Sequence, residues 1–190
     1  MSAESGLRDR LEGGLNAPIC LTWELTYACN LACTHCLSSS GRRDPEELTT
    51  TEATALVDEL AAMRVFYLNV GGGEPMIRRD FFDIVEHAVE RRVGVKFSTN
   101  GTRLDAAAAR RLAAMDYLDV QISIDGADAA TSDAVRGAGS YAAARRAMDH
   151  LAAAGVADFK VSVVVTRRSP APASPEWTSS RFAGPASSVR

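Results

Sequence analysis

Between residues 19 and 166 the sequence repeats one pattern: a short apolar run, a turn of glycine and small polar residues, then apolar residues at helical spacing. Ile19-Cys20-Leu21-Thr22-Trp23-Glu24-Leu25 partly alternates and carries strand formers, and Val65 to Val70 reads as a buried strand ended by Gly71-Gly72-Gly73. Val93 to Phe97, Leu118 to Ile124 and Phe159 to Thr166 read as three further strands. Thr49-x-x-Glu52 has capping-box spacing ahead of Leu56, Val57, Leu60 and Met63. Asp80 is placed to cap a helix with Phe81, Val85 and Ala88 on one face. Asp105 opens an Ala-rich helix with Ala108, Leu112 and Met115 inward, and Tyr141, Ala144, Met148 and Leu151 share a core stripe. Strands separated by helices of this length pair in parallel through right-handed crossovers, so the expected fold is α/β: a sheet or partial barrel of about five parallel β/α units.

The unusual residues fall at one place in that pattern. The loop Cys29-Asn30-Leu31-Ala32-Cys33-Thr34-His35-Cys36, the turn Gly72-Gly73-Glu74-Pro75, Ser98-Thr99-Asn100-Gly101 and Ser123-Ile124-Asp125-Gly126 all lie at or just after the C-terminal ends of successive strands. In parallel α/β folds the loops at that edge share one crevice, so these residues are expected to meet in space. Three thiolates so spaced can hold three irons of a four-iron cluster and leave the fourth open to a small molecule. The competing reading is a structural zinc site, for which adjacent His35 and Cys36 are poorly placed as joint ligands. Gly71 to Pro75 could equally be a plain strand-to-helix turn; it is neither a Walker loop nor a dinucleotide fingerprint. Ser123 to Gly126 could be only an Asp-Gly turn, and Arg136 only a solvated charge. His87 and His150 are expected at the surface, and Cys20 in the core.

Composition excludes several classes. A formal net charge of -3 in 190 residues gives no broad basic field, which argues against nucleic acid as a partner. No run approaches the roughly 18 apolar residues of a membrane span, and the N-terminus is polar, so the chain reads as cytoplasmic. Three of the four cysteines lie within eight residues, which favours metal binding in a reducing compartment over disulfides.

With the cysteine set, the Gly-Gly-Glu-Pro element and the Ser-x-Asp turn together, residues 19 to about 166 resemble the radical S-adenosylmethionine enzymes. That resemblance implies a (β/α)6-type barrel with Cys29, Cys33 and Cys36 as ligands of a [4Fe-4S] cluster. It implies that S-adenosylmethionine completes the cluster and is contacted by Gly72, Gly73, Glu74, Ser98, Asn100, Ser123, Asp125 and Arg136, with His35 where an aromatic residue often flanks the cluster. The chemistry implied is one-electron cleavage of the sulfonium to a 5'-deoxyadenosyl radical that abstracts a substrate hydrogen. The segments Trp23 to Thr26, Cys36 to Pro45, Val93 to Gly101 and Val120 to Ser123 resemble most the peptide-modifying, SPASM-type branch that matures mycofactocin. The partners this implies are a ribosomal precursor peptide, its peptide-binding chaperone and an external electron donor. The implied reaction is oxidative decarboxylation and cross-linking of the peptide's C-terminal Val-Tyr.

The sequence departs from that branch after the fifth strand. Its members carry a cysteine-rich C-terminal domain for auxiliary clusters, whereas here no cysteine follows Cys36, and four of the seven prolines lie from Pro170 onward among Ser and Ala. The expectation is a flexible lead over 1–18, a partial barrel over 19–166 and a disordered tail over 167–190. A truncated or frame-shifted product is expected, with a catalytically incompetent fragment that at most binds a cluster or partner as the alternative to an active maturase.

Overall fold

A computed structural model describes residues 18–156 and 158–166 of the chain. Its five strands are β1 (Cys20–Thr26), β2 (Tyr67–Gly72), β3 (Gly94–Thr99), β4 (Leu118–Ser123) and β5 (Lys160–Ser162). The helices are α1 (Thr50–Ala62), α2 (Phe81–Glu90), α3 (Ala106–Ala113), α4 (Ala129–Arg136) and α5 (Ser140–Ala153), with a 3-10 turn over Pro75–Ile77. The strands form one sheet in the order β1-β2-β3-β4-β5, every neighbouring pair parallel. This is the α/β sheet that the strand-helix alternation requires. Among the described residues no helix is long and apolar enough to cross a membrane.

The two faces of the sheet differ because side chains alternate along each strand. Leu68 and Val70, Val95 and Phe97, and Val120 and Ile122 point to the buried side, where they join Val57, Phe81, Ile84, Leu112 and Leu151 of the helices in one core. Phe81 and Phe97 meet edge to face with ring centroids 5.0 Å apart. The opposite face is polar, and the register aligns Thr22, Asn69, Lys96 and Asp119 in a single row across four strands.

Thr49 makes the expected capping box with Glu52 at the start of α1. Other details differ from the sequence reading. β2 begins at Tyr67 and runs through Gly71 and Gly72, and β3 includes Ser98 and Thr99, because those residues still pair or continue the ladder. The fifth strand is only three residues long. α4, capped by the Asp128 carboxylate accepting from Thr131 N, was hidden in sequence by its single buried apolar residue, Val135. In α3 it is Ala109, not Ala108, that is buried beside Leu112. Asp80 precedes α2 but does not cap it, since Arg78 and Thr50 take its carboxylate first. Cys20 is half-buried at the open start of β1 rather than in the core, paired in register with Tyr67. His87 and His150 are half-buried rather than at the surface, and His87 Nε2 lies 2.8 Å from Asp58. The expected disordered tail and nearly all of the expected flexible lead lie outside the described residues.

Candidate functional site

The cysteine loop leaves β1 and is closed on itself by a bridge between Ala28 and Gly41, where Cys29 N donates to Gly41 O and Gly41 N to Tyr27 O. Glu47 holds the loop's entry: its Oε1 accepts from the Thr26 hydroxyl at 2.7 Å and from Tyr27 N at 3.0 Å, while Arg43 binds Oε2. Those donors hold the Glu47 carboxyl below its ordinary value despite burial. Three further elements then fasten the loop. The Ser38 hydroxyl donates to Gly72 O at 2.9 Å, Asn30 exchanges side-chain hydrogen bonds with Asn100 and Thr102, and Thr34 N donates to Val135 O at the end of α4.

The Gly72-Gly73 step is where the loop and β2 come closest. Gly73 N donates to Thr26 O at 2.7 Å and Glu74 N to Ala28 O at 2.8 Å. A Cβ on Gly72 would lie 2.3 Å from Thr26 O, and one on Gly73 would lie 2.1 Å from Ala28 O. Gly72 also has φ 103°, which side chains disfavour. These glycines are therefore required by contact between two stretches of this chain, before any ligand is considered.

Glu74 follows directly and is 1% exposed. Thr99 Oγ1 donates to its Oε1 and Asn100 N to its Oε2, both at 2.7 Å, and Met76 N adds a third bond. Burial nevertheless pushes its carboxyl up to about 6, with those three donors opposing the shift. Among the described residues no cation forms an ion pair with this carboxylate, and Arg103 lowers it only from a distance.

The thiols differ among themselves. Burial pushes Cys29 and Cys33 above the ordinary thiol range, although the Arg136 guanidinium works against this at Cys33. Cys36 falls below that range despite its burial, because Ser40 N donates to its Sγ at 3.4 Å and the Ser38 hydroxyl lies 3.7 Å away. Ser39, with φ 49°, makes the turn that brings Ser40 N back to this sulfur. All three thiols line one cleft of about 350 Å³ at the C-terminal edge of the sheet. Among the described residues no three His, Cys, Asp or Glu side chains converge closely enough to hold a single metal ion. Three thiols lining one cleft are the donor set of a polynuclear cluster whose sulfur ligands bind different irons.

Gly72, Gly73, Glu74, Ser98, Asn100, Ser123 and Arg136 line the same cleft. The convergence expected from strand-end positions is therefore present in three dimensions. Asp125 is the exception: it is fully buried behind the cleft wall, where its Oδ2 lies 2.6 Å from Arg136 Nε and 3.1 Å from His35 Nε2, and its Oδ1 accepts from Val164 N. The Arg136 and His35 approaches are ion contacts rather than aligned hydrogen bonds. Arg136 is accordingly not a solvated charge, its side chain being 12% exposed. Thr22, Glu24 and Asn69 also line the cleft, though the sequence reading passed over them. Their signal was a polar residue at every second position of β1 and one Asn inside an otherwise apolar strand.

A sequence profile described as the radical SAM superfamily matches residues 23–168. The chain is 64% identical over 161 residues to the mycofactocin maturase MftC of Mycobacterium ulcerans, covering 85% of this chain and 44% of that protein. It is 36% identical over 161 residues to an AdoMet-dependent heme synthase of Nitratidesulfovibrio vulgaris, covering 83% of this chain and 43% of that one. The chain thus spans less than half the length of these curated relatives. In structure it is similar to Streptococcus suis SuiB, solved bound to S-adenosylmethionine, with a TM-score of 0.66 at 17% identity over 84% of this chain and 36% of that one. The same protein has been solved bound to its precursor peptide SuiA.

Proposed function

The chain belongs to the radical SAM superfamily, and on that premise we propose that its cleft is the radical-generating centre of a peptide maturase. The observation that carries this reading is the meeting of three thiols with the Gly-Gly-Glu turn in one cleft, although they come from different strand ends. Cys29, Cys33 and Cys36 would hold a [4Fe-4S] cluster, with Cys36 already disposed toward the thiolate form by its serine donors. Glu74 and the neighbouring backbone of Gly72 and Gly73 would take the ammonium end of S-adenosylmethionine, which would give the buried carboxylate a direct cationic partner. Arg136 would meet the carboxylate end, and Ser98, Asn100 and Ser123 the remaining polar groups. Asp125 would act one layer behind them, setting the Arg136 guanidinium. When bound, cluster and S-adenosylmethionine together supply one-electron cleavage of the sulfonium and a radical able to abstract hydrogen. The protein's own part is to orient, to exclude water and to hold charge.

The substrate reading rests on the 64% identity to the mycofactocin maturase. It is a ribosomal precursor peptide, delivered by a peptide-binding chaperone and modified by oxidative decarboxylation and cross-linking at its C-terminal Val-Tyr, with electrons from an external donor. The 36% identity to a heme synthase fits a radical-generating half shared across substrates. Anaerobic reconstitution with iron and sulfide, then addition of S-adenosylmethionine and dithionite, should yield 5'-deoxyadenosine. Iron-loaded protein that forms none would overturn the assignment of radical generation to this chain.

A further inference from the structure

Ser38 stands between two parts of the cleft that come from different strand ends. Its hydroxyl donates to Gly72 O at 2.9 Å, and its oxygen lies 2.7 Å from Ser40 Oγ and 3.7 Å from Cys36 Sγ. Ser38, Ser40, Cys36 and Gly72 all line the cleft, and Ser38 is half-buried there. The pairing of β2 with β3 ends at Val70, so Gly72 lies beyond that ladder, with its carbonyl turned to the cysteine loop. On the other side of the sulfur, the left-handed turn at Ser39 brings Ser40 N to Cys36 Sγ at 3.4 Å.

A hydroxyl has one hydrogen to give and two lone pairs with which to accept. Here the hydrogen goes to Gly72 O, and Ser40 Oγ is close enough to donate to Ser38 Oγ. Cys36 as a metal-bound thiolate only accepts, so it and Gly72 O are two acceptors for the one hydrogen of Ser38. Distance decides for the carbonyl, 2.9 Å against 3.7 Å. An ammonium group on Gly72 O reverses the preference: the carbonyl then holds a charged donor, a second bond to it is worth less, and the negatively charged sulfur is the stronger acceptor left. Both acceptors are already within reach, so turning the O–H about the Cβ–Oγ bond is sufficient and no backbone has to move.

We propose that Ser38 is a positioning residue whose hydroxyl changes partner, from Gly72 O, where this structure has it, to Cys36 Sγ when an ammonium group binds Gly72 O. Hydrogen bonds to the sulfurs of a cluster tune its reduction potential, and they raise it because they favour the more negative, reduced form. Arrival of the ligand is thereby relayed to the cluster by a hydroxyl of this chain, and reduction becomes easier only once the ligand is seated. The inference rests on the radical-centre reading and adds the residue that couples its two halves.

The test reads a potential. The full chain, loaded anaerobically with iron and sulfide, is taken through a redox titration followed by electron paramagnetic resonance, with and without S-adenosylhomocysteine. That thioether keeps the ammonium and the carboxylate but has no sulfonium to cleave. Without it, the midpoints of the parent and Ser38→Ala should coincide. With it, the parent should lie higher by about 59 mV, a tenfold change in the ratio of reduced to oxidised cluster for one electron and the scale of one hydrogen bond to a charged acceptor. Ser38→Thr keeps the hydroxyl and should follow the parent. Ser40→Ala removes a hydroxyl that bonds to Ser38 but not to Cys36 or Gly72, and should follow the parent too. Equal midpoints in the presence of the thioether, or a difference already present without it, overturns the proposal. So does a Ser38→Ala chain that takes up no iron, because Ser38 is then a structural tie. 5'-Deoxyadenosine formed by a parent whose midpoint matches that of Ser38→Ala leaves the radical-centre reading standing and removes this inference alone, whereas no deoxyadenosine from the iron-loaded parent removes that reading.

Discussion

The two edges of this sheet solve the same backbone problem in opposite ways. At the C-terminal edge, close approach is met by glycine: Gly72 and Gly73 let β2 lie directly against the start of the cysteine loop. At the N-terminal edge, left-handed turns are filled by Arg92 and Tyr117, where glycine would be easier. The contrast teaches that backbone contacts are the functional element at the upper edge, because they fix where three thiols and a carboxylate stand. At the lower edge Arg64, Arg92 and Tyr117 are held in left-handed turns at a conformational cost, while the turn after α5 uses Gly155.

The largest effect that would sharpen this contrast is expected at Gly73. Gly73→Ala puts a methyl carbon 2.1 Å from Ala28 O, so the loop or β2 must move, at a cost of about 3 kcal/mol in urea unfolding. Iron loading should fall with it. Unchanged stability would mean that the upper edge is not set by this backbone contact.

Nearly as large should be Asp125→Ala, which leaves the Arg136 guanidinium buried without its counter-charge and removes the carboxylate that accepts from Val164 N. About 3 kcal/mol is expected from denaturant unfolding. Asp125→Asn keeps an acceptor for Val164 N and should recover part of the loss. If S-adenosylmethionine affinity fell in Asp125→Asn with stability intact, the positioning role of Asp125 would be isolated from its structural one.

At the lower edge the sign reverses. Arg92→Gly relieves the left-handed strain and should stabilise the chain by about 1 kcal/mol, read as a higher urea midpoint with an unchanged slope. A destabilised Arg92→Gly would erase the contrast between the edges.

A pH dependence is also expected at the upper edge. Arg78 sends its guanidinium to Leu25 O, Leu48 O and Asp80, tying the end of β1 to the turn after β2. That guanidinium, with the Thr50 hydroxyl adding to it, holds the Asp80 carboxyl down at about 2 from the ordinary 3.8. A depressed folded-state value means that stability is complete above the ordinary value and declines as pH falls from there toward about 2. Asp80→Asn should flatten the acid limb of a stability-against-pH curve in that window, and an unaltered limb would place the acid sensitivity elsewhere.

Much of this was legible along the chain. Thr49 and Glu52 announce the start of α1, and the apolar run ending at Val70 marks β2, because caps and apolar runs are local properties. The positions of the cysteines and of Glu74 at strand ends were enough to expect a shared cleft. Strand limits were not legible: Gly71, Gly72, Ser98 and Thr99 have turn-like composition yet extend their strands, since pairing with a neighbouring strand overrides local preference. α4 carries too little apolar periodicity to stand out, and it is fixed in place by the cysteine loop across Thr34 and Val135.

By itself the sequence determined the parallel β/α order and the set of chemically distinctive residues at one edge. Both follow from short-range spacing. Only the tertiary structure decided that Asp125 stands behind the cleft and not in it, that Arg136 is buried against it, and that Gly72 and Gly73 serve a contact within the chain. It alone decided that Arg92, Lys96 and Tyr117 line one cavity where the strands begin. Those outcomes depend on which loops approach each other across the sheet, a balance of steric fit and buried charge between residues far apart in sequence, which local spacing does not encode.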